Sequence, residues 1–331
     1  MTSLAGRSVL VTGADGFIGS HLVEALVAQG AKVRAFCLYN SQGAWGWLDR
    51  SSDAVKAAIE PRLGDIRDAR FVDEACDGVE VVFHLAALIA IPYSYQAPES
   101  FIDTNVRGTM NVLEAARRRG VDRVVHTSTS EVYGTPETLP IVETHALNAQ
   151  SPYAATKVAA DQLALSYHRS FATPVTVLRP FNTFGPRQSA RAVISTMLYQ
   201  LLRGKREIQL GRLDTRRDFT FVRDTVAGFG AAATAPGVEG ETIQLGTGET
   251  VSIGDVFRLA CSMLGVPDAT IAADPRRMRP DASEVLVLQS DPGRARARLG
   301  WAPQVAFADG LAETAEWIRS NMSFFRDALH V

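Results

Sequence analysis

Val9-Leu10-Val11-Thr12-Gly13-Ala14-Asp15-Gly16-Phe17-Ile18-Gly19 joins a short apolar run to an amphipathic stretch through a glycine-rich turn. Residues 8–12 read as a buried strand, and residues 17–29 read as a helix. Each glycine answers a separate steric need. Gly13 permits a tight turn, Gly16 lets the backbone approach a pyrophosphate, and Gly19 allows the helix to pack closely. Phe17 and Ile18 start the helix, whose free N–H groups and positive dipole end would face the phosphates. A strand, this turn and a helix in that order predict a dinucleotide site.

The pattern continues outward. Apolar runs at 32–38, 79–85, 123–127 and 175–178 alternate with helix-like stretches at 68–76, 98–119 and 152–172. Strands separated by helices predict an α/β Rossmann fold built on a doubly wound parallel sheet. The runs are rich in valine and lack polar alternation, as strands covered on both faces should. After Pro186 a helix-like stretch at 190–204 precedes short pieces at 208–211, 219–222, 242–245, 253–264 and 311–320. These predict a smaller C-terminal α/β lobe. The dinucleotide-binding domain is placed at 1–180 and the second lobe at 181–331, with the two interleaved.

Composition narrows the partners. In 331 residues, 34 Lys and Arg nearly balance 36 Asp and Glu, so no broad field draws nucleic acid or an anionic membrane. Cys37, Cys76 and Cys261 are scattered, which gives neither a disulfide framework nor zinc spacing, and no metal is expected. No stretch reads as a signal peptide or a membrane span, and a soluble cytoplasmic protein is expected.

The second strand of such a fold ordinarily ends in an acidic residue that grips the adenosine ribose. Here Arg34-Ala35-Phe36-Cys37-Leu38-Tyr39-Asn40 carries none, and Tyr39 stands at about that place. No arginine follows to hold a 2′-phosphate. NAD is the favoured cofactor, with NADP not excluded. Asp65, next to Ile66 after the third strand, is read either as an acceptor for the adenine amino group or as a helix cap. Leu85, Ala86 and Ala87 close the fourth strand, where small side chains let a cofactor lie against the backbone.

Ser151-Pro152-Tyr153-Ala154-Ala155-Thr156-Lys157 opens a helix, and Tyr153 and Lys157, four apart, share one face. A phenol, with a reference pKa of ~10, is a poor base at neutral pH. A nearby ammonium and an oxidised nicotinamide both favour the phenolate, which can then take a hydroxyl proton as hydride leaves the same carbon. Lys157 can also bond the nicotinamide ribose. The fifth strand ends in Thr127-Ser128-Thr129-Ser130-Glu131-Val132-Tyr133-Gly134. In an extended segment Thr129 and Glu131 share a side. Thr129 is read as a hydrogen-bond partner for the reacting oxygen, and Glu131 as a base for a carbon-bound proton.

Together these motifs resemble the epimerase/dehydratase branch of the extended short-chain dehydrogenase/reductases. The resemblance includes Arg179-Pro180-Phe181-Asn182, Arg217-Asp218-Phe219 and Arg279-Pro280. Leu38-Tyr39-Asn40-Ser41 and Ile91-Pro92-Tyr93-Ser94 look most like the nucleotide-sugar 4,6-dehydratases of the legionaminic-acid pathway. That resemblance implies a nucleotide-diphosphate sugar substrate, held by Ser94, Asn182, Arg187, Arg217 and Arg279, and a homodimer pairing two long helices from each subunit. It implies oxidation at C4, loss of water across C5 and C6, and return of hydride to C6. Dehydratases of the dTDP-glucose type carry Asp where this chain has Ser130, counted here among the catalytic residues. The resemblance also admits a 4-epimerase or a UDP-glucuronate-type decarboxylase. A non-enzymatic Rossmann sensor would have no need of Thr129, Tyr153 and Lys157.

Overall fold

Alternate residues of a strand face opposite sides of a sheet, and here both sides are buried. Val9, Val11, Val33, Ala35, Phe83 and Val125 belong to one core, while Leu10, Phe36, Val82 and Val124 belong to another. The computed structural model describes residues 3–325. Its main sheet has seven parallel strands: β1 (Ser8–Thr12), β2 (Lys32–Leu38), β3 (Ile59–Gly64), β4 (Val81–His84), β5 (Arg123–Thr127), β6 (Val175–Pro180) and β7 (Thr242–Leu245). Their order is β7-β6-β5-β4-β1-β2-β3. Connections run opposite ways on either side of the β1/β4 boundary. Such a switch point leaves a crevice at the carboxyl ends of the strands, where open α/β sheets bind ligands.

Two elements differ from expectation. Residues 242–245 had been placed with the C-terminal lobe. Instead β7 lies beside β6, with Gln244 opposite Arg179, and completes the main sheet. The helix Val222–Thr234 also crosses back to pack against helix α1 (Phe17–Ala28). The stretch at 98–119 is not one regular helix. A π-helical turn at Ile102–Arg107 separates Pro98–Phe101 from Gly108–Arg119. The remaining C-terminal strands make three small sheets that pair Asn182–Phe184 with Phe219–Phe221, Arg216–Arg217 with Val251–Ser252 and Val287–Leu288, and Glu207–Leu210 with Thr270–Ala273. They share one core with β1 and α1, through residues such as Met197, Leu210, Phe229 and Leu311.

Candidate active site

The turn after β1 is held tight by glycines, because a side chain at Gly13 or Gly19 would collide with neighbouring backbone. Gly13 has φ +68°, and a Cβ there would stand 2.9 Å from the Ala86 nitrogen. A Cβ on Gly19 would meet the Gly13 carbonyl oxygen at 2.0 Å. Gly16 caps α1 with no side chain over the helix end. The Thr12 hydroxyl accepts from the Leu85 and Ala86 nitrogens, both at 3.1 Å, and donates to His84 Nδ1 at 2.8 Å. His84 Nε2 in turn reaches Thr109 at 3.0 Å, and the Thr109 hydroxyl donates to the Asn105 carbonyl at 2.6 Å. This directionality requires a neutral His84, and burial holds its pKa well below the ordinary value. The result is a fixed floor beneath a cavity of about 890 Å³ lined by Gly13, Gly16, Phe17, Ile18, Gly19, Asp65, Ile66, Leu85, Ala86 and Ala87.

Tyr39 is not part of that lining. It is 68% exposed, and Leu38 and Trp47 take the wall at the end of β2. Asp65 lines the cavity but is engaged: both its oxygens meet Arg67, and it accepts from the Arg67 nitrogen at 2.9 Å. The helix Ala69–Ala75 is capped by Asp68 rather than by Asp65.

Of the residues expected to be catalytic, Thr129, Glu131, Tyr153 and Lys157 all line the wall of the same cavity. Ser151 caps the helix Pro152–Phe171 by accepting from Ala154, and Pro152 occupies the first turn. This fixes Tyr153 and Lys157 at the start of a 20-residue helix. Lys157 Nζ donates to the Thr127 carbonyl at 2.6 Å, and burial pushes its pKa down to about 8 against the pull of Asp161. Burial pushes the Tyr153 phenol up; a hydrogen bond from Thr129 opposes this, and the Glu131 and Asp161 charges reinforce it.

Thr129 and Glu131 share the cavity, but not through strand alternation. The Thr129 hydroxyl accepts from the Glu131 nitrogen at 3.3 Å and caps a short helical turn, Ser130–Tyr133. Glu131 projects from that turn, with its side chain 14% exposed. Ser130 is buried and absent from the lining, so it does not stand beside the reacting groups.

Behind Lys157 lies a charged cluster that the sequence reading missed. Asp161, fully buried, accepts from Ser128 at 2.6 Å and from Arg179 at 2.9 Å, and His126 stands 3.2 Å away. Burial alone would raise the Asp161 carboxyl, but His126, Arg179 and Lys157 together hold it below its ordinary value. The signal was available, since Asp161 is four residues beyond Lys157 on the same helix face.

A second cavity of about 580 Å³ adjoins the first and shares Ile89, Ile91, Thr183, Gln188 and Ala192 with it. Asn182, Arg217 and Arg279 line it. Asn182 Oδ1 is buried with no hydrogen-bond partner among the described residues. Arg217 pairs with Glu284 at 3.4 Å. Arg279 reaches across the boundary between the cavities to the Glu131 carboxylate, also at 3.4 Å. Two expected ligands lie elsewhere. Ser94 is fully buried, and its hydroxyl donates to the Ile91 carbonyl at 2.7 Å. Arg187, in a left-handed backbone turn with φ +68°, lines the first cavity and pairs with Glu24 of α1 at 2.7 Å. Arg191 also lines the second cavity.

Among the described residues no cluster of His, Cys, Asp or Glu could hold a metal ion, and no helix is long and apolar enough to cross a membrane. Residues 10–314 match the family described as GDP-mannose 4,6-dehydratase. A UDP-glucose 4-epimerase of Mycolicibacterium smegmatis is 35% identical over 325 residues, covering 94% of this chain and 98% of its own. A dTDP-glucose 4,6-dehydratase of an Actinoplanes species is 33% identical over 325 residues, covering 96% and 99%. The crystal structure of the dTDP-glucose 4,6-dehydratase DesIV from Streptomyces venezuelae, with NAD bound, aligns at a TM-score of 0.87 and 32% identity, over 97% of this chain and 99% of that one. A cradle shaped by glycines, a Tyr–Lys helix at its far end and relatives matched end to end lead to one conclusion: the chain belongs to the GDP-mannose 4,6-dehydratase family, among the extended short-chain enzymes that dehydrate or epimerise nucleotide sugars.

Proposed function

We propose that the protein is an NAD-holding nucleotide-sugar 4,6-dehydratase. The observation that carries this reading is Glu131, a carboxylate in the same cavity wall as Tyr153 and Thr129. Oxidation at C4 alone has no use for a carboxylate there, whereas removal of a carbon-bound proton requires a base. NAD, as carried by the solved relative, supplies a hydride acceptor at C4 and the hydride returned to C6.

The chain's own groups move the protons. Tyr153 takes the proton of the C4 hydroxyl, and Thr129 hydrogen-bonds the same oxygen. Lys157, anchored on Thr127, would bond the ribose of the bound cofactor. The C4 ketone acidifies the C5 proton, and Glu131 removes it. Protonated Glu131 then gives that proton to the C6 hydroxyl, which leaves as water. Glu131 has both tasks because Ser130, buried outside the cavity, offers no second acid. The hydride taken from C4 would be returned to C6, and the enolate so formed takes up a proton at C5 that balances the one lost to Tyr153, so the sugar loses only water. Asn182, Arg217 and Arg279 hold the diphosphate, for which guanidinium forks are suited. A nucleotide-activated N-acetylglucosamine is the substrate favoured by the legionaminic resemblance.

The competing reading is 4-epimerisation. It is supported by the ion pair of Glu131 with Arg279, which gives the carboxylate a purely structural task, and by the 35% identity to an epimerase. Mass spectrometry of a panel of UDP-, dTDP- and GDP-sugars incubated with the enzyme separates the readings. Loss of water is expected. An unchanged mass with inverted C4 would establish the epimerase, and loss of carbon dioxide a decarboxylase.

A further inference from the structure

The wall at the adenosine end of the first cavity lacks the acid that ordinarily closes β2. Tyr39, the residue at that place, points the question elsewhere because it is exposed and outside the lining. An acid is present all the same, contributed by a different element. Asp15 lines the cavity from the turn between β1 and α1. Its carboxylate oxygen lies 3.4 Å from the nitrogen of Leu38, the last residue of β2. A second loop fixes it from the other side. The Trp47 nitrogen donates to the Asp15 carbonyl at 3.1 Å, and a Cβ on Gly46, whose φ is +60°, would stand 2.5 Å from that same oxygen. Only glycine lets the 46–50 turn lie this close.

The side of the cavity is set by topology. In a dinucleotide bound as such folds bind one, the phosphates would sit at the N-terminus of α1 and the nicotinamide near Tyr153 and Lys157, beyond β4 and β5. The ends of β2 and β3 would then receive the adenosine, with Asp15 between that end and the phosphates. The charge balance there is uneven. Arg67, the cation in this part of the lining, is paired with Asp65. Asp15 has no cationic partner among the described residues, and burial raises its carboxyl above the ordinary value. A half-buried carboxylate without a cation is well satisfied by neutral O–H donors.

Resting on the reading of this cavity as a nicotinamide-cofactor site, we infer that Asp15 takes over the task of the missing β2 acid: it accepts the vicinal hydroxyls of the adenosine ribose and repels a 2′-phosphate. The turn that binds the pyrophosphate thereby also selects NAD over NADP. A phosphate monoester at the 2′ position would bring about −1.5 to −2 charges against this carboxylate at pH 7.

Isothermal titration of the cofactor-stripped full-length protein with NAD and with NADP tests the assignment without relying on turnover. The wild type should prefer NAD. Asp15→Asn keeps the size and removes the charge, and should narrow the preference roughly 10–100-fold, chiefly by strengthening NADP binding. Tyr39→Ala should leave the preference unchanged. A preference unaltered in Asp15→Asn, an equal loss of both affinities in that variant, or a preference lost in Tyr39→Ala overturns the inference. Wild-type protein that binds neither dinucleotide overturns the cofactor reading itself, an outcome distinct from a ratio that fails to move.

Discussion

In the proposed dehydration Glu131 and Tyr153 act on different bonds, so their removal should stop the reaction at different points. Glu131→Gln keeps the shape and loses the base. It should still bind cofactor and sugar, yet lose dehydration by roughly 10²–10⁴ and fail to exchange the C5 proton with solvent deuterium. Tyr153→Phe should lose the earlier step, with no reduced cofactor formed on mixing. Near wild-type dehydration by Glu131→Gln would make that carboxylate structural.

Lys157 makes a prediction about stability. Its folded pKa of about 8 lies below the ordinary 10.5, so the folded state binds the proton less tightly than the unfolded chain. The penalty for burying the charge is full below pH 8, shrinks as pH rises from there, and is gone above 10.5. Lys157→Met should therefore be inactive but more stable at pH 7, by ~1–3 kcal/mol, with the gain vanishing by the alkaline limit in denaturant titrations.

At this scale the sequence was legible wherever spacing alone sets geometry. Gly13, Gly16 and Gly19 are fixed by one turn, and Tyr153 and Lys157 by one helix pitch. Ser94 lies buried and Tyr39 exposed outside the lining, because their exposure depends on how distant segments fold over them. Asp15 was overlooked because its carboxylate matters only through the end of β2, which lies 23 residues further along the chain.

The π-helical turn at Ile102–Arg107 places Asn105 in the interior, where it ties two walls of the site together. Its amide accepts from the Leu88 nitrogen at 2.8 Å, donates to the Leu88 carbonyl at 2.9 Å, and reaches the Thr156 hydroxyl at 3.0 Å, one residue from Lys157. Such turns recur at functional positions. Asn105→Ala should lower unfolding stability by ~2–4 kcal/mol and weaken NAD binding together, because the loop after β4 loses its brace. A calorimetric loss of stability with unchanged NAD affinity would confine Asn105 to the fold. A periodicity reading gives no hint of this turn, since one extra residue per turn barely disturbs the apolar pattern. β7 was misassigned for a related reason. Four residues can announce a strand but not the sheet that receives it, and Gln244, buried opposite Arg179, is bonded to the Ile141 and Asp291 carbonyls from outside the sheet.

At the scale of the whole molecule, the two lobes share one core, so the site they enclose is held by a common frame. The helices Gly108–Arg119 and Pro152–Phe171 pack side by side on the far flank. Val112 of the first of these is fully buried in the core. Ile102, Met110 and Phe171 are the exposed apolar residues of this region, and the homodimer implied by the resemblance is proposed to form over them. Light scattering at micromolar concentration should give the mass of two 35.8 kDa chains, and Met110→Glu should shift it toward one.

The 3.4 Å contact between Arg279 and Glu131 joins two tasks in a single ion pair. In the proposed dehydration, the group that would recognise the diphosphate also occupies the group that would take the C5 proton. On that reading a nucleotide would be more than a handle: it would be the trigger that unlocks the base, through binding energy released far from the reacting carbons. A hexose stripped of its nucleotide meets a base that is still engaged. Raising its concentration offsets weak binding but leaves the lock shut. Deuterium exchange at C5 of the free hexose should stay at background even at concentrations where the nucleotide sugar would saturate the enzyme.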